Sequence, residues 1–181
     1  VDSEKITAAY FFARLNGGIC KMINKFVASV AEALADTADG STVLIGGFGT
    51  AGIPDELIDG LIAQGARDLT VVNNNAGNAD LGMAALLKTG RVRKIICSFP
   101  RQADSYVFDG LYRAGKLELE LVPQGNLAER IRAAGAGIGG FFTPTGYGTE
   151  LAPPEFHRQH PAWREQAAGM RGNFAISTAG P

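Results

Sequence analysis

Residues 42–72 read TVLIGGFGTAGIPDELIDGLIAQGARDLTVV. Thr42 to Ile45 is a short β-rich run bounded by Gly40 and Gly46, which predicts a strand. Pro54 suits the first turn of a helix, where its missing N–H costs nothing. Leu57, Ile58, Leu61 and Ile62 recur at helical spacing and give that helix one apolar face. Gly65 is well placed to end it. Leu69 to Val72 is a second strand. Strand, helix and strand in one stretch form a βαβ unit, whose strands lie parallel and whose crossover is right-handed.

The same rhythm continues on both sides. Phe26, Val27, Val30, Ala31 and Leu34 fall at helical spacing ahead of the first strand. Leu81 to Leu87 predicts a short helix, expected to be capped by Asp80. Lys94 to Ser98 predicts a third strand. Tyr106, Val107, Leu111 and Tyr112 mark a helix that Gly115 ends, and Leu117 to Val122 a fourth strand. Leu127, Ile131 and the Ala133-Ala134 pair make the next helix, which Gly135 closes. The chain therefore reads as a Rossmann-like α/β domain, a mostly parallel sheet with flanking helices. Ligands of such sheets collect at the carboxyl ends of the strands. The candidate loops are Gly46 to Pro54, Asn73 to Asn78, Phe99 to Asp104, and Pro123 to Asn126.

Bulk properties narrow the function classes. The 181 residues are enough for one core-bearing domain, and 46% hydrophobic with 19% charged is an ordinary globular composition. A formal net charge of −1 provides no basic field for nucleic acid or an anionic membrane. No apolar stretch approaches the roughly 20 residues of a membrane span. Asp2 and Glu4 spoil a signal peptide, so the cytoplasm is the expected compartment. Cys20 and Cys97 are too few and too distant for a disulfide framework or a zinc set. Cys97 ends an apolar run and is expected in the core. His157 and His160 have no acidic partner at ligand spacing, so no metal site is expected.

Gly47-Phe48-Gly49-Thr50-Ala51-Gly52 follows a strand and is expected to open a helix, which fits the G-x-G-x-x-G dinucleotide fingerprint. A ribose-binding site of that kind wants an acidic residue about 20 positions on. Asn73-Asn74-Asn75 stands there instead. Three amides orient a carboxylate or carbonyl but clamp a diol poorly. A glycine turn that merely packs a helix on a strand is the other reading of the loop.

The wider context is more specific. Asp39-Gly40, Val43-Leu44-Ile45, Gly46-Gly47-Phe48 and Gly52-Ile53-Pro54, at their spacing over sixteen positions, resemble the signature of family I 3-oxoacid CoA-transferase alpha subunits. Further segments are similar in the same order: Asn74-Asn75-Ala76-Gly77, Pro123-Gln124-Gly125 with Leu127 to Arg132, and Thr143 to Thr149. Cys97 to Gln102 and Asp104 to Phe108 resemble the members that act on 3-oxoadipate. The resemblance runs from Met22 to about Leu151.

The resemblance implies transfer of CoA from succinyl-CoA to a 3-oxoacid through a covalent glutamyl-CoA intermediate. It places the nucleophilic glutamate on a beta subunit, so the implied assembly is a heterodimer or heterotetramer. No cofactor is implied beyond the CoA thioester, which is a substrate. Glu150 edges a glycine-rich loop but lacks the nucleophile's context. The implied site residues are Gln124 for the oxyanion, Asn74 and Asn75 for the oxoacid carboxylate, and Gly46, Gly47, Phe48, Gly49 and Gly52 as a CoA or acyl loop. A turn residue capping its own backbone is the plainer role for each Asn or Gln. Arg101 is expected to pair bidentately with the second carboxylate of oxoadipate, although a solvated surface arginine fits equally.

Three segments are expected: a foreign or disordered extension over residues 1–21, an incomplete alpha-type domain over 22–150, and an irregular tail over 151–181. Pro153, Pro154 and Pro161 break that tail, and the resemblance is lost in it, as in a truncated or frameshifted chain. A non-catalytic nucleotide- or CoA-binding module and an inactive fragment are the competing readings.

Overall fold

The computed structural model describes residues 26–143, Thr145 and Thr149, and the backbone of residues 175–178. Cys20, Met22, Glu150, His157, His160 and most of the segment expected to be irregular lie outside the described residues. The elements run in order as α1 (Val30–Ala33), β1 (Thr42–Leu44), α2 (Asp55–Gln64), β2 (Leu69–Val72), α3 (Met83–Lys88), β3 (Val92–Cys97), α4 (Tyr106–Arg113), β4 (Glu118–Leu121), α5 (Gln124–Gly135), β5 (Gly140–Thr143) and β6 (Ala175–Thr178). Strands β1 to β4 form one parallel sheet in the order β1-β2-β3-β4, and β5 pairs antiparallel with β6. Strand β6 thus falls within the 151–181 segment.

The register decides what each face of the sheet carries. Val43, Val71, Ile95 and Leu119 are cross-strand partners. Successive side chains on a strand point to opposite faces, so these four share one face. Helices α2, α3 and α4 contribute Ile58, Leu61, Met83, Leu86, Leu87 and Phe108 to the core cluster that contains Val71 and Ile95. Cys97 belongs to that cluster and is fully buried, as expected for a small apolar residue ending the run. Burial pushes its thiol up to about 12, against a smaller downward pull from the backbone hydrogen bond of Phe99.

The opposite face carries two cross-strand rows. One is Thr42, Thr70, Lys94 and Glu118, and the other is Leu44, Val72, Ile96 and Glu120. A register shift between Leu69 and Thr70 leaves Arg93 without a ladder partner, as a bulge does. Arg93 consequently reaches Thr70 Oγ1 and Glu118, on the same face as Lys94. Helix α5 covers part of this face with Leu127, against Val72 and Val122. Between α5 and β1 a groove of about 470 Å³ remains, with Leu44, Lys94, Glu120, Arg130 and Ile131 in its wall.

Several local expectations are corrected. The helix expected from Phe26 is confined to Val30–Ala33, capped by Ser29, while Phe26 is exposed. Helix α3 begins after Gly82 with no side-chain cap, so Asp80 does not cap it. Asp80 pairs with Lys88 instead, at 3.7 Å on the surface. Among the described residues, no helix is long and apolar enough to cross a membrane.

Candidate functional site at the carboxyl edge of the sheet

The glycine loop does not open a helix. Phe48 and Ala51 exchange backbone hydrogen bonds, N–H of Phe48 to O of Ala51 at 2.9 Å and the reverse at 3.0 Å. Gly49, with φ of +63°, supplies the left-handed backbone at the first turn position of this small hairpin. Phe48 is carried outward and is three-quarters exposed. Helix α2 starts only at Asp55, behind Pro54, and Asp55 and Glu56 occupy its first turn. Two carboxylates there already complement the positive end of the helix dipole and repel a pyrophosphate. The geometry therefore departs from the dinucleotide fingerprint at the point where that fingerprint works.

The three amides after β2 are divided by the alternation of the strand. Asn73 and Asn75 continue the face of Val71, while Asn74 continues the face of Val72. Asn73 donates from Nδ2 to the carbonyl oxygen of Ile45 at 2.6 Å, and its Oδ1 accepts from the Asn75 N–H at 2.9 Å. Asn75 is fully buried, donates from Nδ2 to the carbonyl of Gly49 at 3.1 Å, and accepts from the Gly77 N–H at 2.8 Å. These two residues tie the end of β1 and the glycine hairpin to the edge of β2. The plainer expectation for an asparagine, a side chain that organises backbone, describes them both.

Asn74 turns the other way. Its Nδ2 lies 3.1 Å from Ser98 Oγ and 2.9 Å from Gln124 Oε1. Ser98 Oγ in turn donates to Gln124 Oε1 at 2.5 Å. The sequence puts Gln124 in a loop, yet it is the first residue of α5, because Pro123 with φ of −52° stands as the N-cap and launches the helix. Three consecutive βα junctions, after β2, β3 and β4, thus converge on one cluster of neutral polar groups. Sequence reasoning misses Ser98 as a site residue, since a serine ending a strand carries no signal of its own.

The expected loops are linked further out. Asp104 N–H donates to Asn78 Oδ1 at 2.9 Å, and Ala79 N–H to the Asp104 carbonyl at 2.8 Å. Arg101, on the loop after β3, is paired through Nε with Asp109 of α4 at 2.8 Å. The described contacts do not bring it to Asn74, Ser98 or Gln124. A smaller pocket of about 180 Å³ lies between the glycine hairpin and α3, with Gly49, Thr50, Asp55, Asn75 and Gly82 in its wall. Among the described residues, no group of three or more His, Cys, Asp or Glu is arranged to hold a metal ion.

A parallel sheet whose carboxyl edge gathers a glycine hairpin, a triple-asparagine turn and a glutamine at a helix start defines a class. The chain belongs to the coenzyme A transferase family, whose model matches residues 27–177. It is 72% identical over 131 residues to one of the subunits of the 3-oxoadipate CoA-transferase of Pseudomonas putida, covering 72% of this chain and 57% of that one. It is 51% identical over 125 residues to the human mitochondrial succinyl-CoA:3-ketoacid coenzyme A transferase 2, covering 69% of this chain and 24% of that one. In structure it is similar to an acyl-CoA transferase apoenzyme from Escherichia coli O157:H7, with a TM-score of 0.59 and 27% identity over 70% of this chain and 26% of that one. The chain therefore spans a little over half of the Pseudomonas relative. The family match extends past Leu151, into the segment expected to lie outside the resemblance.

Proposed function

We propose that this chain provides the alpha half of a cytoplasmic CoA-transferase that moves CoA from succinyl-CoA to a 3-oxoacid, 3-oxoadipate above all. The observation that carries the reading is the cluster of Asn74, Ser98 and Gln124 at the carboxyl edge of the sheet. The 72% identity to part of a 3-oxoadipate CoA-transferase supports the choice of substrate. The nucleophile comes from a beta-subunit glutamate. Its carboxylate adds to the thioester carbonyl of succinyl-CoA, and negative charge develops on the carbonyl oxygen. Collapse of that adduct expels the CoA thiolate and leaves a mixed anhydride. The thiolate then attacks the glutamyl carbonyl and releases succinate, and the 3-oxoacid takes up CoA by the same steps in reverse.

This half presents donors and shape. Gln124 offers a neutral amide N–H to the developing oxyanion, a contribution of roughly 3 kcal/mol for one well-placed donor. Asn74 stands beside it for the oxoacid carboxylate, to which it turns the N–H that otherwise goes to Ser98. Asn75 acts on that site from beneath, through the glycine hairpin it holds, and the hairpin with Gly46, Gly47, Phe48, Gly49 and Gly52 receives the acyl-CoA. Arg101 pairs with the second carboxylate of oxoadipate through the guanidinium nitrogens that Asp109 does not use.

The test is reconstitution. Mixed with the beta subunit of a 3-oxoadipate CoA-transferase, the chain should form a complex that transfers CoA from succinyl-CoA to 3-oxoadipate, and by itself it should not. Gln124→Ala should lower kcat/KM by roughly 10². Arg101→Ala should raise KM for 3-oxoadipate and leave that for a monocarboxylic 3-oxoacid unchanged. A complex that forms but never transfers CoA, or wild-type turnover in Gln124→Ala, defeats the reading.

A further inference from the structure

Ser98 sits in the cluster without a part in the transfer chemistry. We propose that it is a positioning residue: its hydroxyl, with Asn74 Nδ2, holds the carboxamide oxygen of Gln124 and so fixes the direction in which Gln124 presents its N–H. The proposal rests on the oxyanion role of Gln124 and deepens it.

The Asn74 amide, with Nδ2 turned toward Ser98 and Gln124, sets the arrangement around the hydroxyl. The backbone carbonyl of Asn74 accepts the N–H of Ser98 at 3.1 Å and the N–H of Phe99 at 2.9 Å. A carbonyl oxygen has two lone pairs, and both are then occupied. The Ser98 hydroxyl also lies 3.2 Å from that oxygen, but its single proton has a better acceptor in Gln124 Oε1 at 2.5 Å. Ser98 Oγ meanwhile accepts from Asn74 Nδ2 at 3.1 Å. Gln124 Oε1 thus receives two donors, one from the hydroxyl and one from Asn74. Turning the Gln124 amide over would set its NH2 group 2.9 Å from the NH2 group of Asn74, donor against donor. Against Asn74 so placed, the amide is held one way round, and among the described residues its Nε2 has no protein partner.

The fold explains why Ser98 is the residue in place. Cys97 points into the core, so the next residue turns to the opposite face, which Asn74 and α5 share. Ser98 is pinned there by backbone and side chain alike. Gln124 itself is exposed and, as the first helical residue, would otherwise sample several rotamers. An exposed donor contributes to catalysis only if its direction is set before the reaction, and the rigid edge of β3 sets it through one hydroxyl.

Two readouts test this. By NMR on this chain, the side-chain amide of Gln124 should show a high order parameter in the wild type and in Ser98→Thr, and a clearly lower one in Ser98→Ala. In the reconstituted transferase, Ser98→Ala should lower kcat about 10-fold with KM unchanged, as expected for a displaced group. Ser98→Thr should recover most of that loss. In a Gln124→Ala background, Ser98→Ala should cost nothing further, because the group it positions is gone. An amide equally ordered in Ser98→Ala overturns the proposal. So does wild-type turnover of Ser98→Ala where Gln124→Ala is impaired, and that outcome leaves the role of Gln124 intact. Wild-type turnover of Gln124→Ala removes both.

Discussion

The buried side-chain amide of Asn75 donates to the backbone carbonyl of Gly49, 26 residues away in sequence, at 3.1 Å. This bond joins the turn after β2 to the tip of the glycine hairpin after β1. With the Asn73 bonds to Ile45 and to the Asn75 N–H, it makes two neighbouring βα junctions one rigid unit. A hairpin that carries an exposed phenylalanine at the carboxyl edge of the sheet is held from below by a residue that is itself fully buried.

Asn75→Ala should destabilise the chain by about 2–3 kcal/mol. It leaves the Gly49 carbonyl and the Gly77 N–H without their partners, and an unsatisfied buried polar group costs about 1–3 kcal/mol. Urea denaturation measures the loss. Hydrogen exchange should also show the glycine hairpin losing protection before the core strands. A change under half a kilocalorie would mean that the hairpin stands without this bond.

Gly77→Ala should be worse. Gly77 has φ of +88°, and a Cβ there would sit 2.4 Å from the backbone nitrogen of Ala84. Backbone cannot yield as a flexible side chain can, and left-handed strain adds to the clash. A loss of roughly 3 kcal/mol or more is expected, with Gly90→Ala as the comparison, since Gly90 also has positive φ but open space around it. Equal melting temperatures for the two variants would contradict the packing argument.

The charged rows on the second face predict a pH dependence with two limbs. Burial raises the Glu120 carboxyl, but hydrogen bonds from Lys94 and Arg130 outweigh it and hold its pKa below the ordinary value. Its stabilisation is present above the unfolded value of about 4.3 and is lost as pH falls through the lower folded value. Lys94 is raised, first by its bond to Glu120 and despite burial. Its share is present below about pH 10.4 and is lost as pH rises through the folded value. Glu120→Gln should therefore lower stability at neutral pH and flatten the acid limb. Stability measured by denaturant at several pH values checks this, and an acid slope identical to wild type would falsify it.

Cys97 should be inert in the native chain. A fully buried thiol whose ionisation is pushed up to about 12 presents almost no thiolate under mildly alkaline labelling conditions. Alkylation followed by peptide mapping should show Cys97 unmodified under native conditions and labelled in guanidinium. Native labelling at a rate near that of a free cysteine would show that the core around β3 opens locally.

The order of strands and helices was readable from residues 42–72 and their neighbours, because period and glycine placement are local properties. The family resemblance was readable for the same reason, being carried by short motifs at set spacing. Local pattern failed where a long-range partner decided the outcome. Asp80 looks like a cap but pairs with Lys88, and the glycine triplet looks like a helix start but closes on itself between Phe48 and Ala51. Asn74 and Asn75 are adjacent and chemically identical, so no pattern in the chain separates them. The pleat of β2 does, sending one amide to Ser98 and Gln124 and the other beneath the hairpin. Ser98 acquires a role only when three parallel strands bring three separate junctions to one edge. Residue chemistry was thus written in the chain, whereas the direction of each side chain was decided by the sheet, since alternation and register have meaning only once strands pair.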